Sequence, residues 1–285
     1  MQNSKNNINP VISIIVAVYN GAKTLEQCIN SVANQCYPNL ELIIIDGGST
    51  DGTLDIIQKY EDVISFWLSE PDGGIYDAWN KGLKQVHGEW ICFLGSDDYF
   101  WQDRAVEQIA NTVNLADLQA KLVYSKVAIV NAQHELLYTV GEPWESAKIK
   151  LGDVMSVPHP GMLHHHTWFK KYGLFDTSYQ IAGDYEMLFR GWPQENATFV
   201  SDVIVVGMMQ GGVSSMPRNA IRQLKEVWRA QKMRGKRFPG RLLVAAMTRV
   251  YMRLIIQTFL TKHVTYRLLD IGRKFLGKPP YWTKI

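Results

Sequence analysis

The stretch Trp90-Ile91-Cys92-Phe93-Leu94-Gly95-Ser96-Asp97-Asp98 runs from five apolar residues straight onto two adjacent carboxylates. A short apolar run without helical spacing reads as a buried strand. The pattern occurs three more times upstream. Val11-Ile12-Ser13-Ile14-Ile15-Val16-Ala17-Val18 leads into Tyr19-Asn20, and Leu40-Glu41-Leu42-Ile43-Ile44-Ile45 leads into Asp46-Gly47-Gly48-Ser49-Thr50-Asp51-Gly52. Ile64–Leu68 leads into Glu70-Pro71-Asp72. Helical segments fall between: Thr24–Gln35, with Leu25, Cys28, Ile29 and Val32 on one face, then 52–60 and Ile75–Val86. Strands alternating with helices predict an α/β fold, a parallel Rossmann-like sheet with helices on both faces. Ligands of such sheets bind beyond the carboxyl ends of the strands, where all four polar clusters sit.

Adjacent carboxylates after a buried strand repel each other unless a cation or hydrogen-bond donors satisfy them. A hard divalent ion bridging to a diphosphate is the natural partner for oxygen ligands; the plainer reading is that Asp97 or Asp98 caps a following helix. Tyr19 offers a ring for stacking on a base, and the other carboxylates can bond base or ribose. Beyond residue 100 the pattern loosens to a strand at Lys121–Val130 and a helix at Asp184–Gly191.

Three cysteines form no disulfide framework, and residues 1–10 are polar, a flexible N-terminus without the apolar core of a secretory signal. These features predict a cytoplasmic protein. Charge divides the chain sharply: 218–285 carries a net +15 and 1–217 a net −12. The expected organisation is a globular domain over 11–217, with halves at 11–100 and 101–217, and a basic helical tail over 218–285. Leu242–Leu260 is too interrupted by Arg249 and Arg253 to span a bilayer. Arg241, Arg249 and Arg253 share one sector of roughly 120° on a helix, opposite much of the apolar surface. That suits an anionic membrane surface, placing the protein peripherally on the inner face of the cell membrane; the alternative is packing on the domain. Nucleic acid is not expected, because no base-reading motif accompanies the charge.

In this order and spacing, the motifs Ser13–Asn20, Ile45–Thr53, Ser69-Glu70-Pro71-Asp72-Gly73-Gly74-Ile75-Tyr76-Asp77-Ala78-Trp79-Asn80-Lys81-Gly82 and Gly88–Asp98 resemble the family 2 glycosyltransferases of GT-A fold, over roughly residues 11–215. The resemblance implies transfer from a nucleotide-sugar donor to a glycan or lipid-linked acceptor, as in bacterial exopolysaccharide, capsule or O-antigen assembly. Ala17, Val18, Tyr19 and Asn20 would line the base pocket. Asp46 would lie by the nucleoside or hold its own turn, and Asp72 would approach the nucleotide. Many relatives have a second acidic residue where this chain has Gly47. Asp97 would meet ribose or sugar, and Asp98 would hold Mg²⁺ or Mn²⁺, while Gly95 replaces the leading Asp of the Asp-x-Asp motif. Asp184 would be the catalytic base of an inverting displacement, or simply an acidic residue favoured by the helix dipole. His159 would touch diphosphate or acceptor, or be a buried loop residue. His164-His165-His166 cannot all face one ion.

Three other readings compete with this one. A haloacid-dehalogenase-type phosphatase needs an acid where Gly48 stands, and a dinucleotide-binding dehydrogenase needs a Gly-x-Gly-x-x-Gly turn that is missing after the first strand. A catalytically inactive nucleotide-sugar-binding or membrane scaffold on the same fold is the remaining alternative.

Overall fold

The computed structural model describes residues 9–115, 120–211 and 217–275. Most of the expected flexible N-terminus, and residues 276–285 of the expected basic tail, lie outside the described residues. The first half alternates as expected: β1 (Ile12–Val18), α1 (Leu25–Ala33), β2 (Leu40–Asp46), α2 (Thr53–Lys59), β3 (Phe66–Ser69), α3 (Ile75–Leu83) and β4 (Trp90–Gly95). These four strands are mutually parallel in the order β3-β2-β1-β4. Their continuous apolar runs have a direct cause, because each strand is covered on both faces. Ile12, Ile14, Val16 and Val18 point into one core with α1 and α2, while Ile15 and Ala17 point into another with α3.

After β4 come β5 (Asp98–Phe100), α4 (Ala105–Leu115), β6 (Leu122–Val130), β7 (Leu136–Val140), α5 (Trp144–Leu151), β8 (Leu163–His165), α6 (His166–Tyr172), α7 (Gly183–Gly191) and β9 (Ala197–Met209). Here the parallel pattern of the first half ends. The sheet continues β4-β8-β6-β9-β5, with β8 antiparallel to both neighbours and β5 antiparallel to β9. Past residue 100 the chain no longer offers strand–helix–strand crossovers of even length, so short strands enter from the opposite direction. The same topology corrects the capping alternative: Asp98 opens β5 opposite Met208, and α4 begins only at Ala105.

Three helices follow: α8 (Pro217–Met233), α9 (Arg241–Phe259) and α10 (Lys262–Phe275). The charge boundary near Pro217 coincides with the start of α8. That helix nevertheless buries Val227 and Ala230 in the second core beside Tyr185 and Leu188 of α7. Leu243 and Met247 of α9 join them, whereas Val244, Tyr251, Met252, Ile255 and Phe259 face outward. The outward stripe departs from the expected arrangement, because apolar residues occupy both the docked and the solvent side of α9. No described helix is long and apolar enough to cross a membrane.

Candidate active site

Strand register gathers the polar clusters. Val18 lies beside Asp46, Asp46 beside Ser69, and Ala17 beside Gly95, so four strand ends open onto one edge. The first two loops are laced together. Asn20 N–H donates to Ser49 Oγ at 2.7 Å, and Thr50 N–H donates to Asn20 Oδ1 at 3.0 Å. Asn20 adopts a left-handed φ of 50°, a conformation its short side chain tolerates. Gly21 N–H donates to Thr53 Oγ1, and Ala22 N–H to Asp51 Oδ2. Ala17 and Val18 are buried beneath this crossing, and Tyr19 stands 67% exposed above it.

Asp46 is fully buried, and its carboxylate is occupied from within. Oδ2 accepts from the N–H groups of Gly48 and Ser49 at 3.1 and 3.0 Å and from Ser69 Oγ at 2.6 Å, while Ser49 Oγ donates to Oδ1. Of its two expected roles, holding the turn is the one this geometry performs. Asp72 leans on Gly47, where a Cβ would fall 2.8 Å from Asp72 Oδ2, and it accepts Gly74 N–H at 2.8 Å. Lys81 braces that loop through Pro71 O at 3.1 Å and Glu70 at 2.9 Å.

Asp97 and Asp98 are differently placed. Asp98 is 6% exposed and Asp97 half-buried. Both lean over Gly95, where a Cβ would meet Asp97 Oδ1 at 2.8 Å and Asp98 Oδ2 at 3.1 Å. The lack of a side chain at 95 therefore makes room for the pair. Gly95 N–H donates to Asp98 Oδ2 at 3.1 Å. Burial, and for Asp98 the neighbouring carboxylate, push both groups above the usual carboxylate range. Two crowded carboxylates with so few donors fit a hard divalent ion whose remaining ligands are diphosphate oxygens and water. Among the described residues no cluster of three or more His, Cys, Asp or Glu gathers as a metal cage.

Asp184 is the second residue of α7. It keeps some exposed surface, yet its surroundings withdraw the carboxyl from water and raise its pKa to about 6. Tyr185 N–H donates to its Oδ1 at 2.8 Å, and Tyr76 OH lies 3.5 Å from the same atom. Tyr76 is the second residue of α3, so Asp184 sits at the helix entered from the Asp72 loop. Its ring also explains Gly183, where a Cβ would come within 2.7 Å. Glu186 turns away into an ion pair with Arg190.

His159 does not face an acceptor surface. It is buried among Trp79, Phe93, His164 and Phe175, and desolvation holds it neutral. Of its two expected roles, contact with diphosphate or acceptor and a buried loop residue, the second is the one this packing describes. The three consecutive histidines diverge: His164 is buried, His165 caps α6 and meets Glu89 at 3.2 Å, and His166 begins the helix. Sequence reading missed Tyr76, Ser49, Ser69 and Lys81. Only Lys81 carried a local signal, four residues after Asp77 on α3.

The mixed sheet flanked by helices, with four strand-end loops along one edge, is a GT-A fold. The model of glycosyl transferase family 2 matches residues 13–146. An uncharacterized glycosyltransferase of Rickettsia typhi is 31% identical over 229 residues, covering 78% of this chain and 70% of the relative. A PGL/p-HBAD biosynthesis glycosyltransferase of Mycobacterium bovis is 27% identical over 184 residues, covering 64% and 69%. Among solved structures, S. aureus TarS 1-349 in complex with UDP-GlcNAc superposes with a TM-score of 0.61 at 21% identity, over 77% of this chain and 66% of that one. Against a longer TarS chain the protein spans 39%. The mannosyltransferase PcManGT from Pyrobaculum calidifontis, in complex with GDP-Man and Mn2+, gives 0.61 at 18% identity over 97% and 83%. The chain belongs to glycosyl transferase family 2. It is a glycosyltransferase.

Proposed function

We propose that the protein is a metal-dependent inverting transferase that moves a sugar to a hydroxyl of a glycan or lipid-linked acceptor at an anionic membrane surface, in cell-surface polysaccharide synthesis. The observation that carries the chemistry is the geometry of two kinds of carboxyl: a pair crowded over Gly95, and a single one at the start of α7 between Tyr76 OH and the Tyr185 N–H. Asp98, with Asp97 beside it, would hold the ion and orient the donor's diphosphate, with Asp97 also near ribose or sugar. Bound Mg²⁺ or Mn²⁺ would supply Lewis-acid neutralisation of the leaving diphosphate. Asp184 takes the proton of the acceptor hydroxyl as its oxygen bonds to the anomeric carbon and the bond to the diphosphate breaks. One displacement inverts the anomeric centre. A carboxyl titrating near 6 is ionised at neutral pH yet basic enough for that transfer. Tyr19 presents its ring to the base.

The membrane reading is supported by the outward stripe of α9 and by Val264, Leu268 and Ile271 of α10, all exposed at helical spacing in a segment of net +15. Lipid contact would bring a lipid-linked acceptor to the site.

The test is nucleoside diphosphate release by the purified chain with Mn²⁺ or Mg²⁺, membrane lipid extract, and a panel of UDP-, GDP- and dTDP-sugars. UDP-GlcNAc and GDP-mannose come first, being the donors bound by the structural neighbours. Release with one donor, lost on chelation and in Asp98→Ala and Asp184→Asn, is expected. Release that survives chelation would overturn metal dependence.

A further inference from the structure

Residues 222, 226, 229 and 233 fall on one face of α8, and all four side chains grip the segment 176–182 that leads into Asp184. Arg222 donates to Gln180 Oε1. Arg229 reaches Asp176 Oδ2 and Ser178 O, each at 3.3 Å, donates to Ser178 Oγ, and lies 4.0 Å over the Tyr179 ring. Met233 accepts from Tyr179 OH at 3.7 Å. Between them, Glu226 accepts three consecutive backbone N–H groups: Gln180 at 3.1 Å, Ile181 at 2.9 Å and Ala182 at 2.8 Å.

Glu226 is 8% exposed, and no Lys or Arg among the described residues forms a salt bridge with it. A buried carboxylate is costly unless its oxygens are satisfied, and here the donors come from a single turn of backbone. The turn matters because Ala182 is the N-cap residue of α7 and has no side-chain cap of its own. Its N–H, and the two before it, fix the direction in which the first helical turn leaves the loop. From the opposite side the Tyr76 ring closes over Gly183. Asp184 is therefore seated between α3 and α8, and the α8 side comes from the basic segment, beyond the residues that the family model matches.

We propose that Glu226 is a positioning residue for the catalytic base, so that the functional unit extends through α8. The proposal rests on the reading of Asp184 as that base. Glu226→Gln keeps the shape but turns one acceptor into a donor facing an N–H. Val227→Ala, one residue along, loosens the docking of α8 through the core without touching the turn, and serves as the structural control.

The experiment compares kcat and donor KM of the full-length variants, normalised to folded protein, with the donor found by the panel above. Glu226→Gln is expected to lower kcat by about tenfold or more, as misplacement of a reacting group does. Its donor KM should stay within about twofold, and Val227→Ala should keep kcat within about twofold. Wild-type kcat in Glu226→Gln, or an equal loss in the Val227→Ala control, overturns the proposal. Asp184→Asn separates the two levels. If it is inactive while Glu226→Gln is unimpaired, only the positioning role falls. If it turns over like wild type, the base reading falls and the positioning role with it.

Discussion

Two carboxylate sites at the ends of the strands that flank β1 have opposite fates. Asp46 closes β2 and is surrounded by four donors from its own turn and from Ser69. Asp97 and Asp98 follow β4, crowd each other over Gly95, and receive one N–H from it. A buried acid with its lone pairs filled by its own chain is a fastener. A pair short of donors keeps lone pairs unfilled by its own chain, and the Asp97 carboxylate makes Asp98 harder to ionise. Both are Asp after an apolar strand, so residue type does not distinguish them; the loop that follows does.

The sharpest way to break this contrast is to remove one member of each site. Asp98→Ala should reduce turnover by about a thousandfold or more, since the ion it would hold supplies several kcal/mol of charge stabilisation. Its thermal stability should be unchanged or higher, because a repelling pair has been relieved. Turnover near wild type would remove Asp98 from the machinery.

Asp184→Asn comes next, with a kcat loss of about 10²–10⁴-fold, the usual contribution of a general base. The wild-type pH profile carries the same information. Desolvation raises the pKa of Asp184 to about 6, with Tyr76 OH and Glu226 as the other titratable groups acting on it. A base must be deprotonated, so kcat should climb with rising pH through about 6 and then level. For stability the sign reverses. The folded state holds this proton more tightly than the unfolded chain, so the group's contribution falls as pH rises from the ordinary Asp range through about 6. A kcat flat from pH 5 to 8 would rule out Asp184 as the titrating base.

Asp46→Ala should act on the fold. It leaves two buried N–H groups and two hydroxyls without their acceptor, a loss of about 2–4 kcal/mol readable by denaturant unfolding. The residual activity of folded protein should exceed that of Asp98→Ala. If Asp46→Ala instead unfolds normally and loses donor affinity alone, Asp46 belongs to the nucleotide and the contrast collapses.

How much of this could be read beforehand follows from range. The four strands β1–β4 and their helices were legible because apolar runs, helical spacing and Gly-rich turns are local. So were the Asp97-Asp98 pair and the start of α7, which the motifs marked. The antiparallel turn of the sheet after β4 was not, since the pairing of β8 with β4 joins residues far apart in sequence. Asp46 was left between two roles because the hydroxyl that fixes one of them, Ser69, arrives from another strand end. His159 divides between two roles for the same reason: the rings that enclose it come from α3, β4, β8 and the loop before α7. Glu226 lay in a segment defined by its charge, and nothing near it in sequence signals a partnership with residues 180–182.

The smallest expected effect bears on the other departure of this chain, Gly47. A side chain there would meet Asp72 Oδ2 at 2.8 Å, so position 47 and the Asp72 carboxylate compete for one place. If Asp72 supplies from the third loop the acid that relatives supply from the second, Asp72→Ala should raise the donor KM by about tenfold with little change in kcat, the mark of binding lost equally in ground and transition states. Gly47→Asp alone should also weaken donor binding, because it sets two carboxylates against each other. The double variant Gly47→Asp/Asp72→Ala should recover most of the loss, since it returns a single carboxylate to the same volume. Recovery would make the two glycine departures one kind of event: at 95 and at 47 alike, a missing side chain leaves room for an acid delivered from elsewhere. Additive losses would mean that Gly47 accommodates Asp72 without exchanging roles with it, and the likeness between the two glycines would end at packing.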